Sequence, residues 1–228
     1  AQKRLLIDVT TLAQVDAKSG IQRVVREILS AMLSSSMFDG RIEPVIYTEH
    51  GLKFARNFVC QQFGLTPLSV GDDLFDVAAG DIFLGLDLNC GPIVQYPDVL
   101  QRMRVNGAQV YFVLYDLLPV TSPHFFENDL SGIFNRWVHV LAQNADGAIC
   151  ISGAVADDLR LWLQQNYPRF ESQFMIEHFH LGADIASSVN SVVLNNFEEN
   201  LTAALENKTC FLMVGTVEPR KGHAYALD

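Results

Sequence analysis

The feature that most constrains this chain is an alternation. Short runs too apolar to be strands with one wet face are separated by segments with helical periodicity. "LLIDVT" (5–10), "EPVIYT" (43–48), "DIFLGL" (81–86), "QVYFVLYDLLP" (109–119) and "GAICIS" (147–152) are the strand-like runs. Between them, residues 19–33 place Ile21, Val24, Val25, Ile28 and Met32 on one face of a 3.6-residue period. Ser19 reads as their N-cap, with Gln22 completing a capping box. Residues 98–107 predict a short helix closed by Gly107, residues 134–145 another, and residues 153–166 a third with Ser152 as N-cap. Strands apolar on both faces need helices on both faces, which indicates a parallel sheet. Right-handed crossovers then give an α/β fold, a Rossmann-like doubly wound parallel sheet.

In such sheets ligands bind beyond the carboxyl ends of the strands, so the informative loops are 10–20, 115–123, 152–154 and 182–186. No G-x-G-x-x-G follows the first strand, and the chain has no G-x-x-x-x-G-K-[ST]. The first loop offers "KSGIQRV". There Gly20 lets a ligand approach a helix N-terminus, whose free N–H groups suit a phosphate or a sugar hydroxyl, or the same residues merely cap the helix. Tyr115 and Asp116 end the central strand. Asp116 either accepts hydrogen bonds from a hydroxylated substrate, or acts as a base, or caps the turn that Pro119 shapes. His178 and His180 share a strand face, but without a third ligand nearby they read as structural rather than metal-binding.

Composition excludes several classes. Hydrophobic residues make up 49% and charged residues 18% of 228, as in a globular protein. The formal net charge of −10 disfavours nucleic acid and anionic lipid as partners. Cys60, Cys90, Cys150 and Cys210 are widely spaced, which suits a reduced, cytosolic protein; Cys150 and Cys210 lie in apolar runs and read as small core residues. The N-terminus lacks a signal-peptide pattern, and no run is long enough to span a membrane.

Residues 1–185 read as one domain, 186–208 as a more polar connector, and 209–228 as the opening of a second domain. In the last part "CFLMVGT" (210–216) reads as a strand, followed by the turn "VEPRKGH". Arg220 and Lys221 are adjacent where a strand would pass into a helix. Such a turn either neutralises a diphosphate or is a solvated basic turn.

Together, "IDVT…SGIQRVVREIL", "YDLLPVTSPHFF", "ADGAICISGAVADDL" and "FLMVGTVEPRKGH" resemble, in order and spacing, the retaining glycosyltransferases of family 4. The resemblance is nearest to bacterial mannosyltransferases of O-antigen and other surface polysaccharides. It implies the N-terminal, acceptor-side half of a GT-B fold plus the start of the nucleotide-sugar domain. It implies hexose transfer, with mannose as the sugar and GDP-mannose as the donor, to a glycan or lipid-linked glycan, with configuration retained and no metal cofactor. On this resemblance Lys221 matches the lysine that contacts the donor diphosphate, and Gly20 the glycine loop that approaches the donor phosphates. Thr216 stands where the family has an arginine, and Tyr115 and Asp116 stand near where it often has a histidine. The resulting assignment makes Tyr115 and Asp116 catalytic candidates, Gly20, Arg220 and Lys221 donor-binding, and Gln22, Arg23 and Ser152 acceptor-binding. The expected location is the cytoplasm, at the inner face of the plasma membrane. An uncovered strand at 210–216 would also favour self-association. The alternatives are a non-catalytic glycan-binding module, a fragment of a multi-module polymerase, or an oxidoreductase, the last weakened by the absent glycine fingerprint.

Overall fold

The computed structural model describes residues 3–36, 38–66, 71–168, 174–182, 205–206 and 208–227. The chain divides into two compact units, Ala1–Leu181 and Gly182–Asp228. Most of the 186–208 connector lies outside the described residues. Among the described residues no helix is long and apolar enough to cross a membrane.

In the first unit the elements run β1 (Arg4–Asp8), α1 (Thr10–Gln14), α2 (Gly20–Ser34), β2 (Arg41–Thr48), β3 (Gly51–Phe54), α3 (Arg56–Gln62), β4 (Leu74–Phe75) and β5 (Ile82–Gly85). They continue with α4 (Cys90–Gln95), α5 (Asp98–Val105), β6 (Gln109–Leu114), α6 (Leu118–Thr121), α7 (Asn128–Asn144), β7 (Gly147–Cys150), α8 (Gly153–Asn166) and β8 (Met175–His178). One eight-stranded sheet has the order β4-β3-β2-β1-β5-β6-β7-β8. From β2 across to β8 every pairing is parallel. The fold is therefore the α/β, Rossmann-like arrangement that the alternation of elements predicts.

The sheet is not parallel throughout. β3 pairs antiparallel with β2 and with β4, forming an edge hairpin that the apolar pattern does not reveal. Its turn, Glu49–His50, is closed by Gly51 at φ +135°, and the Thr48 hydroxyl donates to the Gly51 carbonyl at 2.8 Å. Two arginines clamp this edge. The Arg56 guanidinium lies 3.7 Å from the centroid of Phe54, Phe54 stacks on Phe75 at 4.1 Å, and Arg4 lies 5.0 Å from the Phe75 centroid. Glu43 and Asp81 fix the two guanidiniums in turn. Cation–π contact and bidentate pairing thus replace the apolar cover that the short strands cannot recruit.

Period-2 alternation sends residues to opposite faces of the central strands. Leu6, Phe83, Phe112 and Ala148 join a larger core with α4, α5, α7 and α8, centred on fully buried Trp137. Ile7, Leu84 and Val113 join a smaller core with Leu12 of α1 and Val25 and Leu29 of α2. Gly85 is required by this packing, because a Cβ there would sit 2.2 Å from the Phe112 ring. Helix bounds follow the sequence closely for α2 and α8. The helix read at 134–145 starts earlier, at Asn128. Gly107 does close α5, with φ +86° and the Ala108 N–H donating to the Met103 carbonyl at 3.1 Å.

The second unit differs from its reading. The strand expected over 210–216 is absent: residues 209–214 have no regular structure. Cys210, read as a core thiol, is exposed, and all four cysteines are free. A lone strand has no ladder partner and no sheet to cover its apolar side chains, so an apolar sequence alone does not make one. The turn that follows is formed. Pro219–Lys221 makes a 3₁₀ turn, Gly222 takes the left-handed conformation at φ +72°, and α9 (His223–Leu227) follows.

Candidate functional site

The strand order places a topological switch point between β1 and β5, because the chain leaves β1 toward β2 while β5 through β8 extend the other way. Ligands of such sheets bind in the crevice beyond the carboxyl ends of the strands at that point. In the first unit this edge is built by residues 9–20 after β1, 86–90 after β5, 115–118 after β6 and 151–153 after β7.

The first of these segments is shaped from within. Asp16 pairs with Arg26 at 2.5 Å, and its Oδ1 accepts the Lys18 N–H at 3.1 Å. Arg26 holds the Asp16 carboxyl below its ordinary range, and Lys18 takes φ +50°, uncommon for a residue with a side chain. Ser19 caps α2 by accepting the Gln22 N–H at 3.2 Å. Gly20 opens the helix with nothing within 4 Å of where its Cβ would be, so the backbone there is open to a ligand.

Only half of the expected capping box forms. The Gln22 side chain turns away from Ser19 and donates to the Val15 carbonyl at 2.6 Å. Gln22 is 3% exposed, and its buried Oε1 has no hydrogen-bond partner among the described residues. As an acceptor-binding candidate it is thus a loop fastener with one unused oxygen. Arg23, the other acceptor candidate of this helix, is exposed.

At the end of β6, Tyr115 is 6% exposed and donates its hydroxyl to the Leu86 carbonyl at 2.8 Å. Burial, with the charge of Asp87 added, pushes its phenol well above the ordinary range. Proton exchange with a substrate would require that bond to break. Asp116 is half-buried, and its Oδ1 accepts the Leu118 N–H at 3.1 Å. It therefore caps the turn while leaving Oδ2 for other partners. Ser152 accepts the Val155 N–H at 3.2 Å and caps α8. His178 and His180 stack edge to face at 5.7 Å, and no group of three or more metal-ligating side chains occurs among the described residues.

The remaining candidates belong to the second unit. Glu218 holds Arg220 through two bonds, Nε to Oε2 at 2.8 Å and Nη2 to Oε1 at 2.9 Å. Arg220 and the hydroxyl of Thr216 in turn hold the Glu218 carboxyl below its ordinary range, the Thr216 bond being the stronger cause. Lys221 is exposed, and its aliphatic stem passes where a Cβ on Gly215 would make ordinary contact, 3.7 Å away. The structure gathers Gly20, Tyr115, Asp116 and Ser152 along one edge of the first unit, and Arg220 and Lys221 on one turn of the second.

The sequence reading missed the most buried polar group of the edge. Asp8, Thr10, Asp87 and Asn89, at the carboxyl ends of β1 and β5, are all nearly inaccessible. The available signal was an acid inside each apolar run or just after it, "LLIDVT" and "FLGLDLN", because an unpaired acid is rarely buried without a reason.

Fold and edge together define a Rossmann-like α/β domain whose ligand edge carries a helix N-terminus and a half-buried carboxylate. Across 99% of its length the chain is 36% identical to a protein of Escherichia coli named serotype-specific mannosyltransferase WbdA, over 231 aligned residues. Two further Escherichia coli proteins of the same name are 35% identical over 99% of the chain. The chain spans 27–28% of the length of these curated relatives. The similarity is thus to one segment of these proteins. No family model matches it.

Proposed function

We propose that this chain forms the acceptor-side half of a retaining GT-B glycosyltransferase together with the opening of its donor-side half. The reaction is transfer of mannose from GDP-mannose to a glycan or lipid-linked glycan in O-antigen or surface-polysaccharide assembly, in the cytoplasm at the inner face of the plasma membrane. The observation that carries this reading is the 36% identity, spread over 99% of the chain, to a protein named as a mannosyltransferase. A binding module without catalysis is not favoured, because all three relatives are named as enzymes.

In this reaction the glycosidic bond to the diphosphate breaks through an oxocarbenium-like centre, and charge develops on the departing phosphate. Lys221, in the second unit, is the cation assigned to that charge. Arg220 contributes less, since Glu218 already takes the Nε–Nη2 edge of its guanidinium and offsets its charge. In the first unit, taken by itself, the N–H groups at the start of α2 beside Gly20 suit an anion or a sugar hydroxyl. Asp116, with one oxygen committed to Leu118, offers the other to an acceptor hydroxyl. A metal ion is not required by this division of roles.

The test is a screen of nucleotide sugars against a polypeptide extended to the length of the relatives. Transfer from GDP-mannose with retained configuration is expected, and transfer from no nucleotide sugar would overturn the reading. In that polypeptide Lys221→Ala is expected to cost about 2–4 kcal/mol of transition-state stabilisation, read as kcat/KM. Unchanged kinetics would return the turn to an ordinary solvated one.

A further inference from the structure

The four buried polar side chains at the switch point form one connected group. Asp8 is 0%, Thr10 0%, Asp87 2% and Asn89 2% exposed. Asp8 Oδ1 accepts the Thr10 N–H at 3.0 Å and also the Thr10 hydroxyl, and Oδ2 accepts the Asn89 amide at 3.1 Å. The Thr10 hydroxyl oxygen accepts the Tyr47 N–H at 2.7 Å, so β2 joins the group. Asp87 Oδ2 accepts the Leu12 N–H at 2.6 Å and Oδ1 the Leu88 N–H at 2.9 Å, while its own N–H donates to the Asp8 carbonyl at 3.3 Å. The bonds of Asp8, Thr10 and Asn89 and the Asp87 N–H fasten the starts of the 9–19 and 86–90 segments to β1 and β2, the Leu12 bond ties the two segments to each other, and the Leu88 bond lies within the second.

The group has two acids and no cation. The titratable side chains facing it are Tyr47 from β2, Cys90 from α4 and Tyr115 after β6, all neutral. Burial pushes the Cys90 thiol up to about 12, so it stays protonated. α1 carries no titratable side chain. Among the described residues, the bonds to the two carboxyls come from backbone N–H groups, a hydroxyl and an amide, and none from a cationic side chain. Two anions buried side by side without a counter-charge are costly, and neutralising one of them is the cheapest relief.

We propose that this group is a proton-dependent latch: with Asp8 neutral it holds the 9–19 segment on the switch point, and ionising Asp8 beside Asp87 loosens that segment. The donor inventory allows both states. As a carboxylate, Asp8 accepts from Asn89. As an acid, it donates its proton to the Asn89 carbonyl oxygen once that amide turns over. Desolvation, with the nearby Asp87 charge in support, raises the Asp8 carboxyl from 3.8 to about 7, against the pull of the Thr10 and Asn89 bonds. The sign follows from linkage. A carboxyl raised in the folded state contributes stability that is complete below about pH 4 and is lost as pH rises through about 7. The loosened segment leads directly into Ser19 and Gly20, at the head of α2.

Amide hydrogen exchange on the whole chain tests this. Protection of the Thr10 and Leu12 amides, corrected for intrinsic rates, is expected to fall roughly tenfold per pH unit between about pH 5 and about pH 7 and to level off above. Asp8→Asn, a permanent mimic of the neutral acid, is expected to remove that slope. Asp87→Asn removes the like charge and is expected to move the levelling-off to lower pH, which decides the matter if Asp8→Asn does not fold. Flat protection in the wild type, an equal slope in Asp8→Asn, or an unmoved plateau in Asp87→Asn would overturn the latch. So would an equal fall at β7 amides, since that would mark a global effect.

Discussion

Leu6 and Leu212 sit in runs of nearly the same character, "LLIDV" and "FLMVG", and end in opposite environments. Leu6 is 0% exposed between β2 and β5, whereas Leu212 is 87% exposed in a stretch with no regular structure. The difference is not in the residues. β1 has a hydrogen-bonded strand on each side and a helical layer over each face, and the 209–214 stretch has neither among the described residues of its unit. An apolar run specifies what a segment will bury if it finds cover; the cover itself comes from elsewhere in the chain.

The comparison can be broken by point changes, beginning with the largest effect. Leu6→Ala is expected to destabilise the first unit by about 2–5 kcal/mol, measured by chemical denaturation, since it leaves a void in a closed core. A loss below about 1 kcal/mol would mean that the sheet centre is looser than its burial indicates. Ser152→Ala removes the cap of α8 and is expected to cost about 1 kcal/mol. Any effect on acceptor affinity beyond that loss, measured in the extended polypeptide, would separate a binding role for Ser152 from its capping role. Leu212→Ala, at the other extreme, is expected to change the stability of this chain by less than about 0.5 kcal/mol. A larger loss would show that the 209–214 stretch has found cover after all, through self-association or otherwise, and sedimentation would distinguish these.

Much of the first unit was legible beforehand, and for one reason. Strands such as 109–114 and 147–150 are buried on both faces, so their apolar runs are unbroken, and α2 and α8 announce themselves by period and by Ser19 and Ser152. What the sequence hid is what depends on partners far along the chain. The β3–β4 edge rests on Arg4 and Arg56 meeting Phe75 and Phe54. The tie between Tyr115 and Leu86 joins segments 29 residues apart. The half-formed capping box is a nearer case, in which the Val15 carbonyl, seven residues away, competes for Gln22.

The candidate site divides in the same way. The sequence by itself determined three of the loops at the carboxyl ends of the strands, 10–20, 115–123 and 152–154, and so named Gly20, Asp116 and Ser152, because alternation and right-handed crossovers leave few choices of topology; it passed over 86–90, and 183–186 of its fourth loop lies outside the described residues. It also determined the turn at Arg220 and Lys221, which local Pro and Gly residues shape without help. Only the tertiary structure decided that Asp8 and Asp87 would meet, since their strands become neighbours only when the sheet assembles. The environment that sets a carboxyl's charge is built from residues distant in sequence, and no local pattern encodes it.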